Sequence, residues 1–195
     1  MHKLAKLTAA LAVCSIPAFP ALAVPVQWTT ASGGNDHYYD FVSTGASSWA
    51  GARAAALASS HLGQQGYLAT FTSASEQAFF ISQFGAIDGW IGASDEGAEG
   101  VWLWMDGPEA GQQFWSGGPG GVSLIYASWN VGEPNNLGNE DYAHFQGGRW
   151  NDLPGSASLF YLIEYSSTAA VPEPMTLSLL GAGVAGIGIA RRRRA

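Results

Sequence analysis

Between positions 37 and 165 the apolar residues fall into short clusters separated by Gly, Asn, Ser and Pro. The first strand candidate is His37-Tyr38-Tyr39-Asp40-Phe41-Val42. Trp49 to Leu62 is rich in Ala, and Ser48 can cap it, so the pattern predicts a helix. Tyr67 to Phe71 reads as a short strand. Ser73-Ala74-Ser75-Glu76 fits a capping box opening a second helix that ends near Phe84. Gly89 to Gly92 and Val101 to Trp104 read as strands, as do Tyr142 to Phe145 and Leu159 to Tyr165. From Asp106 to Leu137 the periodicity is lost, which predicts a long loop that is either functional or disordered. Two early helices followed by short strands around that loop argue for an α+β fold.

The two ends have a different grammar. Lys3 and Lys6, an apolar run from Leu7 to Ile16, and Ala21-Leu22-Ala23 predict a secretory signal over residues 1–23. A lipoprotein signal ending at Cys14 is the alternative, but bulky Val13 stands where a small residue is expected. Cleavage after Ala23 leaves no cysteine, and so no disulfide, in the exported chain. At the other end, residues 167–174 read as a linker carrying Pro172-Glu173-Pro174. Residues 175–195 hold an uncharged, mostly apolar or small run followed by Arg191 to Arg194. Its 16 uncharged residues would rise about 24 Å as a helix, slightly less than a hydrocarbon core of about 30 Å. The tail resembles the PEP-CTERM sorting signal. That resemblance implies an exosortase-type processing enzyme and at least transient membrane insertion, with the body outside. A permanent tail anchor is the alternative.

Charge sharpens this division. Six of the eight Lys and Arg lie in the end segments, so residues 24–171 keep Arg53 and Arg149 against 14 acids, a net charge of −12. Two cations cannot neutralise a phosphate backbone, which argues against nucleic-acid binding. Ten of those acids lie between Asp88 and Asp152, so a bound divalent cation is the first expectation. Calcium takes 6–8 oxygens from carboxylates, carbonyls and amides, and bendable acidic loops suit it. Zinc fits poorly: His37, His61 and His144 are scattered and no cysteine accompanies them.

Three short elements then occur in order: Trp90-Ile91-Gly92, Glu133-Pro134-Asn135 and Trp150-Asn151-Asp152, with Glu140 between the last two. With them the body, residues 24–166, resembles a C-type lectin-like domain. The resemblance implies two helices, two small antiparallel sheets and a long calcium-binding loop. It implies a sugar-binding Ca2+ held by Glu133, Asn135, Glu140, Asn151 and Asp152, with a cis peptide before Pro134. An auxiliary calcium would use Asp95, Glu99, Asn136, Glu140 and Asp141. Vicinal sugar hydroxyls would complete the first ion's shell and bond Glu133, Asn135, Glu140 and Asn151. The Glu-Pro-Asn order implies mannose- or glucose-type sugars with equatorial 3- and 4-hydroxyls. The chain departs from the family in lacking paired cysteines and in a longer, Gly-rich stretch over 108–131.

The remaining candidates have plainer readings. Trp90, Trp102, Trp104 and Trp150 are expected in the core. Trp115 and Trp129 either pack or stack on a glycan. Glu96, Asp106 and Glu109 read as solvated loop acids, and Glu164 as an exposed strand residue. Glu76 needs no role beyond its cap, His144 reads as structural, and Arg149 as a brace for the calcium loop. No nucleophile–base pair of Ser or Cys with His appears, so catalysis is not expected. Two functions stay open: a secreted or envelope calcium-dependent carbohydrate-binding lectin acting on exopolysaccharide, or a calcium-stabilised structural or protein-binding envelope domain.

Overall fold

A computed structural model describes residues 24–166. The secretory signal, the Pro-Glu-Pro linker and the apolar tail with its Arg cluster lie outside those residues. Among the described residues, no helix is long and apolar enough to cross a membrane.

The strands are β1 (Val26–Gln27), β2 (Tyr38–Ser47), β3 (Ser60–His61), β4 (Gln64–Leu68), β5 (Gly89–Ser94) and β6 (Val101–Trp104). Then come β7 (Gln113–Ser116), β8 (Val122–Ser123), β9 (Tyr142–Gln146), β10 (Arg149–Leu153) and β11 (Leu159–Tyr165). The helices are α1 (Trp49–Ala58) and α2 (Ala74–Phe84). The α+β class therefore stands. The two small sheets are joined, however: β11 pairs antiparallel with β2 and parallel with β5 at Tyr161↔Trp90, giving the path β1-β2-β11-β5-β6-β7-β8. The β9–β10 hairpin branches off through β5, with Trp90 opposite His144. Gly147 and Gly148 make its turn at φ 60° and 93°, the positive values that a tight hairpin turn demands.

Local chemistry moves several boundaries. α1 is capped as expected, with Gly51 N–H donating to Ser48 Oγ at 3.2 Å. It ends at Ala58 rather than Leu62, because Ser60 and His61 pair with Gln65 and Gln64 around a Leu62-Gly63 turn. The strand expected over 67–71 occupies 64–68 instead. At Thr70 the backbone N–H donates to Glu164 Oε2 at 3.0 Å, so this donor is taken by a side chain. The capping box is half made. Glu76 N–H donates to Ser73 Oγ at 3.1 Å, but the Glu76 carboxylate accepts from Thr72 N–H at 2.7 Å, not from Ser73. The long loop carries strands β7 and β8, which its composition did not suggest.

Two apolar clusters form the core. The larger contains Phe71, Phe80, Trp102, Trp104, Phe145 and Trp150; the smaller contains Trp49, Leu68, Trp90 and Ile163. Trp90, Trp102, Trp104 and Trp150 are buried, as expected. Trp129 is buried too and meets Trp102 edge-on at 4.7 Å, so it packs rather than presenting its face to a glycan. Half-buried Trp115 lies at the rim of the same cluster.

Candidate functional site

The long loop is stitched to β10 at two places. Trp150 N–H donates to Ser128 O at 2.9 Å, and Asn130 N–H donates to Trp150 O at 2.7 Å. Further on, Asn135 and Asn136 N–H donate to the Asp152 carboxylate at 3.1 and 2.7 Å. Between these stitches lies the Glu133–Pro134 peptide, which is cis. Arg149 donates to Trp129 O at 3.1 Å, bracing the first stitch.

Around the second stitch the predicted residues come together through backbone donors, although no three of their carboxylates bring oxygens within 4.8 Å of one another. Leu137 N–H lies 2.8 Å from Asn135 Oδ1 and 3.1 Å from Glu140 Oε2, so both oxygens gather at one backbone donor. Asn151 Nδ2 donates to the Asp152 carbonyl. Burial pushes Glu133 up to about 7, helped by the adjacent Asp152 and Glu140 carboxylates. Burial and Asp152 also raise Glu140. The predicted auxiliary residues lie alongside. Asn136 Nδ2 donates to Glu99 Oε2 at 2.6 Å, and Asn136 Oδ1 accepts from Glu140 N–H at 2.7 Å. Asp95 N–H donates to Asp141 O at 3.2 Å. Burial raises Asp95 to about 6, and Glu99, Asp141 and Asp152 add to the rise.

Two buried oxygens here have no hydrogen-bond partner, Glu133 Oε2 and Asp95 Oδ1. A buried carboxylate oxygen without a partner is costly, and a cation is its natural complement. Carboxylates and amides supply oxygen only, which fits a hard ion such as Ca2+ and gives no softer ligand for a transition metal. The residues therefore fit the ion that the sequence resemblance implies. Bound there, it would neutralise mutually repelling carboxylates and offer coordination positions to ligand oxygens.

A second carboxylate centre escaped the sequence reading. Among the described residues, His37, Glu76 and Glu164 form the one group of three His, Asp or Glu with ligand atoms all within 4.8 Å of one another. His37 Nδ1 lies 2.5 Å from Glu164 Oε1, and Tyr39 OH donates to Glu76 Oε1 at 2.5 Å. Glu164 is thus buried, not an exposed strand residue, and Glu76 has a role beyond its cap. Burial alone would lower His37, but Glu164 beside it lifts it above the ordinary imidazole value. The available signal was Glu164 inside the apolar run Leu162-Ile163-Glu164-Tyr165, where a lone charge demands a partner.

Three further acids were misread or confirmed by their contacts. Asp106 takes a two-pronged bond from Arg53 at 2.6 and 2.8 Å, and half-buried Glu109 accepts from Thr70 Oγ1 at 3.2 Å; neither is a free loop acid. Glu96 is exposed, as expected. His144 is buried and structural, its ring nitrogens lack partners, and burial pushes it down to about 4.

With fold and site in view, the comparisons define the class: a family model described as "Lectin C-type domain" matches residues 47–162, and the chain belongs to that family. A second model, the PEP-CTERM protein-sorting motif, matches residues 170–194. Halomucin of Haloquadratum walsbyi is 38 % identical over 159 residues, and mouse CD209 antigen-like protein D is 36 % identical over 97. These matches cover 76 % and 49 % of this chain but only 2 % and 36 % of the relatives. Among solved structures, CEL-I from Cucumaria echinata is 28 % identical with a TM-score of 0.54, and its EPNH mutant is 30 % identical at 0.55. Each covers 68 % of this chain and 92 % of its own. A calcium-independent type II antifreeze protein is 26 % identical at 0.52, covering 74 % of this chain and 95 % of its own.

The raised carboxylates give a pH signature. Glu133 and Asp95 hold protons more tightly when folded than when unfolded, so acidification stabilises the metal-free domain. In chelator the melting temperature should rise from pH 8 to about 6.5, where the proton uptake gained at Glu133, Asp95 and His37 on folding outweighs the cost of keeping buried His144 unprotonated. If the cradle holds calcium, the melting temperature in millimolar calcium should instead fall over the same range, because protons compete for the ligands. Thermal melts by circular dichroism check this, and parallel slopes would contradict it.

Proposed function

We propose that the domain is a calcium-dependent carbohydrate-binding module of an exported or envelope protein. Glu133, Asn135, Glu140, Asn151 and Asp152 would hold the ion, with Asp95, Glu99, Asn136 and Asp141 around an auxiliary one. The observation that carries this reading is the partnerless buried oxygen of Glu133 beside Asp152 and Glu140. Glu133 and Asn135 flank Pro134, so one end offers a carboxylate that accepts from a sugar hydroxyl and the other an amide that donates to one. That order favours mannose- or glucose-type sugars, and the CEL-I structure titled for its EPNH mutation supports comparing this tripeptide. A single exposed site would bind one sugar weakly, near the 1 mM level that corresponds to about −4.1 kcal/mol. Repeated epitopes on an exopolysaccharide would raise the avidity. The signal over 1–23, the 167–174 linker and the 175–195 tail would export the domain and present it to an exosortase-type enzyme. The module binds rather than catalyses in this reading.

A calcium titration by calorimetry, repeated with mannose, with galactose and with chelator, tests the proposal. Chelator-sensitive mannose binding supports it. The fold is also that of an antifreeze protein titled calcium-independent, which favours a second reading as a domain that binds no sugar. Calcium stabilisation without any sugar effect would select it. Glu133→Gln combined with Asn135→Asp should reverse the acceptor and donor ends. Galactose should then be preferred over mannose by about tenfold, roughly 1.4 kcal/mol, with calcium binding retained. An unchanged mannose-to-galactose ratio would show that these two side chains do not read the sugar.

A further inference from the structure

A second recess lies on other elements of the fold. It is a groove of about 500 Å3 between the β2–β11 pair and the corner formed by α1 and β3. Tyr161, Ile163 and Tyr165 are alternate residues of β11, and Asp40 and Val42 are alternate residues of β2, so each set lines one face. Asp40 stands opposite Ile163 in the strand register, and Tyr161 opposite Val42. His61 enters from β3, its ring 5.7 Å from Tyr165 and 4.7 Å edge-on from Tyr38. A carboxylate therefore sits among aromatic rings in an open, half-buried groove.

That carboxylate has no Lys or Arg partner among the described residues; the nearby His61 is the one group whose positive charge favours its ionised form. Its one hydrogen bond comes from the adjacent Phe41 N–H at 2.8 Å. The described residues contain two Arg and no Lys, and both Arg are engaged elsewhere: Arg53 with Asp106, Arg149 with the Trp129 carbonyl. Burial raises Asp40 above the ordinary carboxylate value. Burial and the Asp40 charge likewise raise the phenols of Tyr161 and Tyr165, which places both rings within the field of that carboxylate.

We propose that this groove binds an organic ammonium group, with Asp40 as its counter-charge and Tyr161, Tyr165 and His61 as its aromatic wall. A hard metal ion would need six or more oxygens, and the groove has one carboxylate. A neutral ligand would leave the Asp40 charge with His61 as its sole, pH-dependent counter-charge. An alkylated nitrogen satisfies both features, since its charge meets the carboxylate and its carbons lie against ring faces.

The test uses choline and its neutral isostere 3,3-dimethyl-1-butanol, each titrated into the 15N-labelled full chain to about 50 mM, where even a weak site fills. Choline should shift the amide signals of Asp40, His61 and Tyr161, and the alcohol should not. Asp40→Asn should weaken choline binding at least about tenfold, and Tyr161→Leu about two- to fivefold, with the melting temperature unchanged in each. Equal shifts from the two compounds, no shift at the groove, or full affinity in Asp40→Asn would overturn the proposal. A variant whose melting temperature drops is replaced by Tyr165→Phe, which removes only a hydroxyl and should keep choline binding; loss there would also overturn it.

Discussion

Asp152→Ala is expected to loosen the long loop and, under the proposed function, to weaken calcium binding. The Asp152 carboxylate is fully buried and accepts the N–H groups of both Asn135 and Asn136. Removing it strands two part-buried donors that a charged acceptor had satisfied, at up to about 1.5–3 kcal/mol each before relief of repulsion with Glu133 and Glu140. A net loss of about 2–4 kcal/mol follows. The calcium affinity should fall by at least about 100-fold, roughly 2.7 kcal/mol, because one ligand and one charge disappear together. Calorimetry reads the metal loss, and amide exchange at Asn135 and Asn136 reads the loosening. A calcium isotherm like that of the parent would remove Asp152 from the ligand set.

Trp150→Ala should produce the largest loss of stability. Trp150 is fully buried among aromatic rings, with centroids 5.7 Å from Trp104, Phe114 and Tyr126 and 5.8 Å from Trp129. Its truncation leaves a large cavity and should cost about 3–5 kcal/mol. Domains have about 5–15 kcal/mol in hand, and the described residues contain no cysteine to cross-link the chain. The melting temperature should drop by about 10–20 °C. Calcium should recover part of that loss by mass action if the loop still assembles. A drop of less than about 5 °C would mean that the cavity collapses around its neighbours.

The elements with a local signature were legible in the sequence. Ser48 and Ser73 announced the helix starts, and the apolar, aromatic-rich run from Leu159 to Tyr165 announced the last strand. That Asn135, Asn136 and Glu140 would lie on the loop that meets Asp152 was suggested by tripeptides in order, not by periodicity. What escaped depends on partners distant in the chain. Glu164 meets His37 across 127 positions, and nothing local reveals that pairing. β7 and β8 were hidden because their apolar residues are few and glycine-flanked, so pairing with β6 supplies what propensity lacks. The early end of α1 was lost to the β3–β4 turn, where pairing overrides an Ala-rich helical preference.

The two attachments to β10 separate length from position. The chain beyond β7 must return to the same edge at Trp150 before Glu133 is placed, and Tyr126 keeps its place against Trp150, so only the exposed tip at 118–120 is an interchangeable crest. Grafting a shorter or longer turn there would alter the rim of the candidate site while the oxygen cradle stays in register. The architecture thus allows diversification of reach without renegotiating the chemistry beneath it.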